Sequence, residues 1–255
     1  MISLRFYAEL NDFLAPAKRG ISIVHEFDIP AAVKDLIEAS GVPHTEVDLI
    51  LANGQSVDFG YRVQDGDRIS VYPVFETLDI TPLLRVRPEP LRHTRFVLDT
   101  HLGRLAAYLR LMGFDTLYRN DYRDEELADI SRDERRILLT KDRGLLKRSQ
   151  VTHGYCVRAT DPRQQLLEVF RRFDLRGAAR PFTHCLRCNG LLRPITKESV
   201  GHLISSATAE RYEEYAQCGS CGRIYWPGSH HRRMRQLVNG ILGADPQPVE
   251  EPLHG

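Results

Sequence analysis

Four cysteines in the second half of the chain have the spacing of a metal site. Cys185 and Cys188 form one C-x-x-C motif, and after 29 residues Cys218 and Cys221 form a second. Each such turn brings two sulfurs to one point, and four thiolates complete the tetrahedral coordination that structural Zn²⁺ prefers. A thioredoxin-like redox site needs only one such motif. The spacing therefore predicts a zinc ribbon.

Four aspartates follow three successive strand-like apolar segments in the middle of the chain. They are Asp99, Asp121, Asp124 and Asp142. The carboxyl ends of parallel strands meet at one edge of an open α/β sheet. Carboxylates gathered there repel one another, and a hard cation such as Mg²⁺ or Mn²⁺ resolves the repulsion. The pattern suggests metal-assisted cleavage of a phosphodiester, with Lys141 and Arg143 beside the last acid to hold the phosphate.

Each aspartate taken alone also has an ordinary structural explanation. An Asp between a strand and a helix caps the helix N-terminus, a role worth about 1 kcal/mol. Asp161, which precedes Pro162, fits capping best and is left outside the site. Asp121 is also compatible with a simple turn, and within a site it would assist through a water. The joint placement of the acids at three strand ends is what favours a shared metal site.

Residues 1–80 have the pattern of a small domain of strands and one helix. Alternating apolar and polar residues predict strands at 2–10, 21–27, 47–52 and 68–74. A helix is predicted over 31–40, and Asn53-Gly54 predicts a hairpin turn. This order of elements predicts a β-grasp fold.

From residue 96 onward, strand-like and helix-like segments alternate. The predicted strands cover 96–98, 114–118, 137–139 and 155–158, with helices over 100–112 and 124–132 and from about residues 143 and 162. Such βα alternation predicts a parallel sheet. The predicted boundaries are a proline-rich linker at 81–95, an α/β domain at 96–178, the zinc ribbon at 179–238 and a disordered tail at 239–255.

Charge is distributed unevenly along the chain. Residues 1–80 carry 6 Lys and Arg against 13 Asp and Glu, whereas residues 81–255 carry 29 against 21. Arginines gather around the two cysteine motifs, as on a phosphate-binding surface, although a solvated face has the same composition. Arg187 and Arg223 are therefore candidate contacts to a nucleic-acid backbone.

Composition excludes a membrane protein. No apolar run approaches the roughly 18 residues of a membrane-spanning helix, and the first residues alternate like a strand instead of forming a signal peptide. With four cysteines assigned to a metal, Cys156 is a single thiol in an apolar stretch. Such cysteine usage fits a reducing compartment and predicts a cytoplasmic protein.

Aromatic and histidine residues near the second C-x-x-C have two interpretations. Tyr225 and Trp226 are suited to stacking on unpaired bases, but in so small a module large apolar side chains more often pack the core. His184, His230 and His231 are not needed as ligands, because four thiolates saturate tetrahedral zinc.

Six segments between Phe96 and Val238 are distinctive: FVLDTHLGRLAAYLRLMGFDT, RDEEL, ILLTKDRGLL, DPRQQL, HCLRCNGLL and CGSCGRIYWPGSHHRRM. Through them the chain resembles the Mut-7 C-terminal ribonuclease family, in which a PIN-like nuclease domain precedes a zinc ribbon. The resemblance implies a metal-dependent ribonuclease whose acidic cluster corresponds to Asp99, Asp124 and Asp142. Related compact domains often carry another Asp where this chain has Gly144, which keeps a non-catalytic RNA-binding adaptor open as an alternative.

Residues 1–80 contain LANGQSV and DGDRISVYPVF and resemble the ubiquitin-like β-grasp extension of bacterial members of that family. Sulfur carriers of similar fold end in Gly-Gly, which occurs nowhere in this chain, so carrier chemistry is excluded. The extension is interpreted as a docking or regulatory module with a protein partner.

Together these features predict an α/β protein: a PIN-like parallel-sheet domain preceded by a ubiquitin-like β-grasp domain and followed by a zinc ribbon. The predicted activity is hydrolysis of RNA by an enzyme with structural Zn²⁺ and catalytic Mg²⁺ or Mn²⁺. Besides the adaptor with a degenerate PIN-like site, a protein-interaction scaffold organised by the β-grasp domain is the remaining alternative.

Overall fold

A computed structural model describes residues 1–26, 31–73, 85–86, 94–200 and 203–243. The chain forms two compact units. The first comprises Met1–Ala106 and Asp115–Asp174, and the second comprises Ala107–Phe114 together with the chain from Leu175. Most of the predicted linker at 81–95, and the predicted tail beyond residue 243, lie outside the described residues.

A five-stranded mixed sheet forms the N-terminal part of the first unit. Its elements are β1 (Ile2–Phe6), β2 (Ile23–His25), α1 (Val33–Ala39), β3 (Leu49–Ala52), β4 (Gln55–Val57) and β5 (Arg68–Tyr72). The strand order is β2-β1-β5-β3-β4, with β1 and β5 parallel and the other pairs antiparallel. Val33 and Ile37 of α1 are fully buried. This is the predicted β-grasp fold.

The sequence predicted the turn between β3 and β4 correctly but made the first strand too long. Asn53 and Gly54 have φ angles of 51° and 85° and connect β3 to β4 in the predicted hairpin, because a tight two-residue turn requires positive φ at both positions. The strand predicted at 2–10 ends at Phe6, and a short 3₁₀ helix, Ala8–Phe13, follows. This helix buries Leu10 and Phe13. The apolar spacing that predicted a longer strand therefore also fits a short helix.

A four-stranded parallel sheet follows. Its elements are β6 (Phe96–Leu98), α2 (Gly103–Leu111), β7 (Thr116–Tyr118), α3 (Asp124–Asp133), β8 (Ile137–Thr140), α4 (Arg143–Leu146), β9 (Gly154–Cys156) and α5 (Pro162–Arg172). The strand order is β7-β6-β8-β9. Every residue of β6, β8 and β9 is buried, as expected for strands covered on both faces. The predicted parallel sheet is confirmed.

The second unit contains a small antiparallel sheet of β10 (Leu192–Ile195), β11 (Tyr215–Cys218) and β12 (Ile224–Tyr225), with α6 (Lys197–Val200), α7 (Ser206–Arg211) and α8 (Ser229–Gly243). Residues 239–243, predicted to belong to the tail, form the last turn of α8. Within the described residues, no helix is both long and apolar enough to cross a bilayer.

The β-grasp domain packs against the β9 side of the parallel sheet. The backbone N–H of Cys156, the last residue of β9, donates to Oε1 of Glu46 at 2.5 Å. Nε2 of His44 lies 2.8 Å from the carbonyl oxygen of Val151, in the loop before β9. Glu46 has 2% of its side chain exposed, and it also lies 3.5 Å from a guanidinium nitrogen of Arg158. Polar contacts therefore join the two domains beside a cluster of buried apolar residues to which both contribute.

A single aromatic ring organises the rim of this contact. Two guanidinium groups lie over the ring of Phe13, those of Arg143 and Arg158, at 4.8 and 5.0 Å from its centroid. Arg143 also donates to the carbonyl oxygens of Phe13 and Asp12, at 3.3 and 3.4 Å. Lys147, just after α4, donates to the carbonyl oxygen of Glu38 at 2.7 Å. The β-grasp domain thus holds α4, the helix that begins directly after Asp142.

Replacing Glu46 by Ala is expected to destabilise the protein by about 3 kcal/mol, because it leaves the guanidinium of Arg158 and the amide of Cys156 without their buried partner. Burial raises the pKa of Glu46, while Arg158 and the Cys156 amide act in the opposite direction. Urea unfolding followed by circular dichroism measures the effect.

The matched control is Glu125→Ala, since Glu125 also pairs with an arginine, at 2.9 Å from Arg148, but is 70% exposed. That variant should unfold almost as the wild type does. Equal unfolding free energies for both variants and the wild type would show that Glu46 gives the domain contact no net stability.

Candidate active site and metal centre

The candidate active site lies at the carboxyl edge of the parallel sheet. Strands β6 and β8 are direct neighbours, with Leu98 paired to Leu139. Asp99 is the first residue after β6, and Asp142 is the second residue after β8. Adjacent parallel strands therefore place these two aspartates at the same edge of the sheet, as the sequence pattern predicted.

A buried hydroxyl connects the two aspartates. Oγ1 of Thr140, the last residue of β8, donates to Oδ2 of Asp99 at 2.6 Å and accepts from the backbone N–H of Asp142 at 2.9 Å. Thr140 is fully buried, so its hydroxyl has to find partners within the protein. Sequence reasoning assigned Thr140 no role. The available signal was a polar residue at the end of the otherwise apolar strand ILLT.

Both aspartates also cap the turn that follows them. Oδ1 of Asp99 accepts from the backbone N–H of Thr100 at 2.5 Å. Oδ1 of Asp142 accepts from the backbone N–H of Gly144 at 2.7 Å. Capping therefore occupies one oxygen of each carboxylate and fixes its orientation.

The other two predicted acids have different surroundings. Arg119 holds Asp121 through two hydrogen bonds, at 2.9 and 3.1 Å, and these contacts keep the pKa of Asp121 below its usual value. Asp124 is the first residue of α3, and its carboxylate lies 3.9 Å from a guanidinium nitrogen of Arg148. Both acids are exposed and face arginines.

The acids do not form a compact ligand set of three. Among the described residues, only the four cysteines bring three or more potential ligand atoms within 4.8 Å of one another. The carboxylate oxygens of Asp99, Asp124 and Asp142 do not all lie within that distance of one another. The structure thus connects Asp99 to Asp142 through Thr140 and leaves Asp124 with Arg148.

The candidate phosphate-binding residues are all exposed: Lys141, Arg143, Arg187 and Arg223. Arg143 differs from the others because it also contacts the β-grasp domain, through Phe13 and the carbonyl oxygen of Asp12.

The second site is a cluster of four cysteine sulfurs. Cys185 and Cys221 have their sulfurs 3.7 Å apart, and the sulfurs of Cys188 and Cys218 are 3.4 Å apart. A Zn–S bond of about 2.3 Å gives a tetrahedral edge of about 3.8 Å, so both separations suit ligands of one ion. The predicted four-cysteine set is therefore brought together, and it could hold a metal.

Backbone amides and a tyrosine support this cluster. The N–H groups of Ser220 and Cys221 point at the sulfur of Cys218, at 3.4 and 3.5 Å. The hydroxyl of Tyr225 lies 3.1 Å from the sulfur of Cys185 and accepts from the backbone N–H of Leu186 at 3.2 Å. Burial opposes ionisation of Cys185, but the Tyr225 hydroxyl and nearby backbone amides lower its pKa to about 6.

Two further residues shape the cluster, and sequence reasoning did not find them. A Cβ atom on Gly190 would lie 2.8 Å from the sulfur of Cys218, so a side chain there would displace a ligand. Arg110 of α2 is buried and donates to the carbonyl oxygens of Leu186 and Arg187, at 3.1 and 2.9 Å, in the first cysteine turn.

Two protein-family models match the chain. The model of the Mut7-C RNAse domain matches residues 94–238, and that of the Mut7-C ubiquitin domain matches residues 1–79. No curated protein and no solved structure matches the chain. Because the first model covers more than half of its length, the chain belongs to the Mut7-C RNAse domain family, and it carries the ubiquitin-like domain at its N-terminus.

The cysteine cluster predicts one tightly bound metal ion per chain. Replacing Cys218 by Ser should abolish that stoichiometry, because a hydroxyl replaces one of four thiolate ligands. Elemental analysis of the purified protein measures the ratio. Cys156→Ser is the matched control, since Cys156 is also buried but lies at the end of β9, outside the cluster. Loss of the metal from both variants, or from neither, would contradict the assignment.

Proposed function

We propose that this chain is a metal-dependent ribonuclease that hydrolyses RNA phosphodiester bonds at the edge formed by Asp99 and Asp142. One observation carries the proposal: in the domain matched by the Mut7-C RNAse model, the hydroxyl of Thr140 ties together two carboxylate-bearing strand ends. Parallel α/β sheets place their reactive groups at this edge.

The donor set suits a hard divalent cation. Mg²⁺ and Mn²⁺ prefer oxygen ligands, and Mg²⁺ is commonly held by only one or two carboxylates while it keeps several waters. Asp99 and Asp142 supply such a pair. A bound cation would supply activation of a water nucleophile and stabilisation of the negative charge that develops on the phosphate.

The protein's own contribution is orientation. Asp99 is held from two sides, by the Thr140 hydroxyl and the Thr100 amide, and Asp142 is held by the amide of Gly144. Carboxylates that are fixed before substrate binds lose little freedom in the reaction. Gly144 suits this purpose because a side chain there would approach Oδ1 of Asp142 to 3.1 Å.

Outer residues complete the proposed site. Asp124 is the proposed third ligand of the cation, and Asp121 is proposed to assist through a water. In these roles Asp124 would have to leave Arg148, and Asp121 would have to leave Arg119. Lys141, Arg187 and Arg223 are the proposed contacts to the RNA backbone, where they supply charge without sequence selectivity. A direct phosphate contact by Arg143 requires the contacts with Phe13 and Asp12 to open.

Zn²⁺ is the proposed occupant of the four-cysteine cluster. Four sulfur ligands with no open position are typical of a structural zinc site, which stabilises the ribbon and takes no part in hydrolysis. The remaining cysteine, Cys156, is buried and free. Free thiols of this kind suit the reducing cytoplasm, which is the proposed location.

A non-catalytic RNA-binding adaptor is the second candidate. It is favoured because Asp99, Asp124 and Asp142 do not form a compact set of three ligands among the described residues, and because Gly144 stands where related compact domains often have an acid. Such an adaptor would bind RNA through the arginines without turnover.

Replacing Asp142 by Asn is expected to slow RNA cleavage at least about 100-fold in the presence of Mn²⁺, because a neutral amide is a poor ligand for a hard cation. RNA affinity should stay equal or rise, since a negative charge is removed from the phosphate site. Gel analysis of end-labelled single-stranded and structured RNA measures both quantities.

Asp161→Asn is the matched control. Asp161 also caps a helix after the parallel sheet, accepting from the N–H groups of Arg163 and Gln164, but it lies outside the proposed site. This variant should keep wild-type activity. Cleavage that is unaffected by Asp142→Asn would refute the site, and RNA binding without any metal-dependent cleavage by the wild type would favour the adaptor.

A further inference from the structure

A large groove lies in the second unit, between the small sheet and the start of α8. Its volume is about 790 Å³, within the range of pockets that bind small organic ligands. Aromatic rings are its main feature, and these are contributed by Phe182, Tyr215, Tyr225, Trp226 and the imidazole of His231. We call this feature the aromatic groove.

The rings of the aromatic groove are held in place. The Phe182 ring contacts the imidazole of His231 in a tilted arrangement, with centroids 4.6 Å apart and an interplanar angle of 34°. Burial, with Arg235 nearby, lowers the pKa of His231. Trp226 is 38% exposed, although in a small module a tryptophan is normally used for the core. Rigid flat surfaces therefore remain open to a ligand.

Part of the groove lining suits a phosphate. Gly228, Ser229 and His230 line it at the start of α8, a 15-residue helix whose first amides have no intrahelical acceptor. Arg223 and Arg235 also line the groove.

Acidic residues also line the groove. It contains two carboxylates, those of Glu213 and Glu214. Glu213 is paired with Lys197 at 2.6 Å, a cation from outside the groove lining. The combination of flat rings, arginines and helix amides matches a ligand with an aromatic base and a phosphate.

We propose that the aromatic groove binds one unpaired nucleotide of single-stranded RNA, with its base against Trp226 and the Phe182–His231 pair and its phosphate at the start of α8. The proposal deepens the proposed function and rests on it for the choice of RNA. Stacking accepts any base, because every base presents a flat π-face. The groove would thus retain unpaired RNA without reading its sequence.

A peptide or a second copy of this chain would complement only part of the groove lining. An apolar peptide segment would leave the α8 amides and Arg235 without an anionic partner. A nucleotide fills both the aromatic and the cationic part, which is why the chemistry of the lining favours it.

Trp226 provides a direct test because it is the sole tryptophan of the chain. Its fluorescence is titrated in the full-length protein with AMP, UMP, adenosine and a short single-stranded RNA, without added divalent cation so that RNA is not cleaved. Saturable quenching by the nucleotides and the RNA is expected, with weaker binding of adenosine because it lacks the phosphate.

Two variants keep the fluorescent probe. Phe182→Ala should weaken binding of AMP and RNA about tenfold, since it removes one stacking ring. Arg235→Ala should weaken AMP binding several-fold and adenosine binding little. Arg233→Ala is the matched control, because Arg233 lies on the same helix but does not line the groove, and it should behave as the wild type.

Each result separates the two proposals. No quenching by any nucleotide, in a protein that cleaves RNA, would overturn the nucleotide site and leave the nuclease intact. Quenching without any RNA cleavage would support the site and count against the nuclease. A fluorescence change that depends only on protein concentration, or quenching unaffected by Phe182→Ala, would overturn the site in favour of self-association or of surface binding.

Discussion

The hydrogen bonds of one threonine hydroxyl constrain the whole candidate active site. Thr140 is buried at the end of β8, where its Oγ1 donates to Asp99 on the neighbouring strand and accepts from the amide of Asp142. This geometry exists only because β6 and β8 are adjacent and parallel in fixed register. A slip of one residue would turn Thr140 to the opposite face of the sheet and separate the two carboxylates.

The β-grasp domain also contacts elements of the parallel-sheet domain that lie near Asp142. It contacts α4, the helix that follows Asp142, through Arg143 and Lys147, and through Glu46 it contacts the end of β9, the strand paired with β8. The contact includes arginines, a buried carboxylate and one phenylalanine ring. One surface of the domain that the sequence analysis interpreted as a docking module therefore contacts the parallel-sheet domain of the same chain.

Much of the fold could be predicted because local patterns agree with it. The apolar strands of the parallel sheet, the Asn53-Gly54 hairpin and the four cysteines are each encoded by a few neighbouring residues. The less predictable features depend on contacts distant in sequence. Thr140, Arg110 and Gly190 acquire their roles only in three dimensions, and Arg143 turns toward Phe13, which lies 130 positions earlier in the chain. Likewise, the sequence placed Asp124 at a strand end, but its position beside Arg148 depends on how α3 packs.

The central claim is that Asp99 and Asp142 share one divalent cation. Anomalous scattering from a crystal soaked in Mn²⁺ tests it most directly, because the manganese signal locates the ion independently of any activity. The account predicts one strong peak within coordination distance of both carboxylates, and its loss in a crystal of the Asp99→Asn variant. A saturating soak that shows manganese only elsewhere, or bound equally well in that variant, would contradict the account.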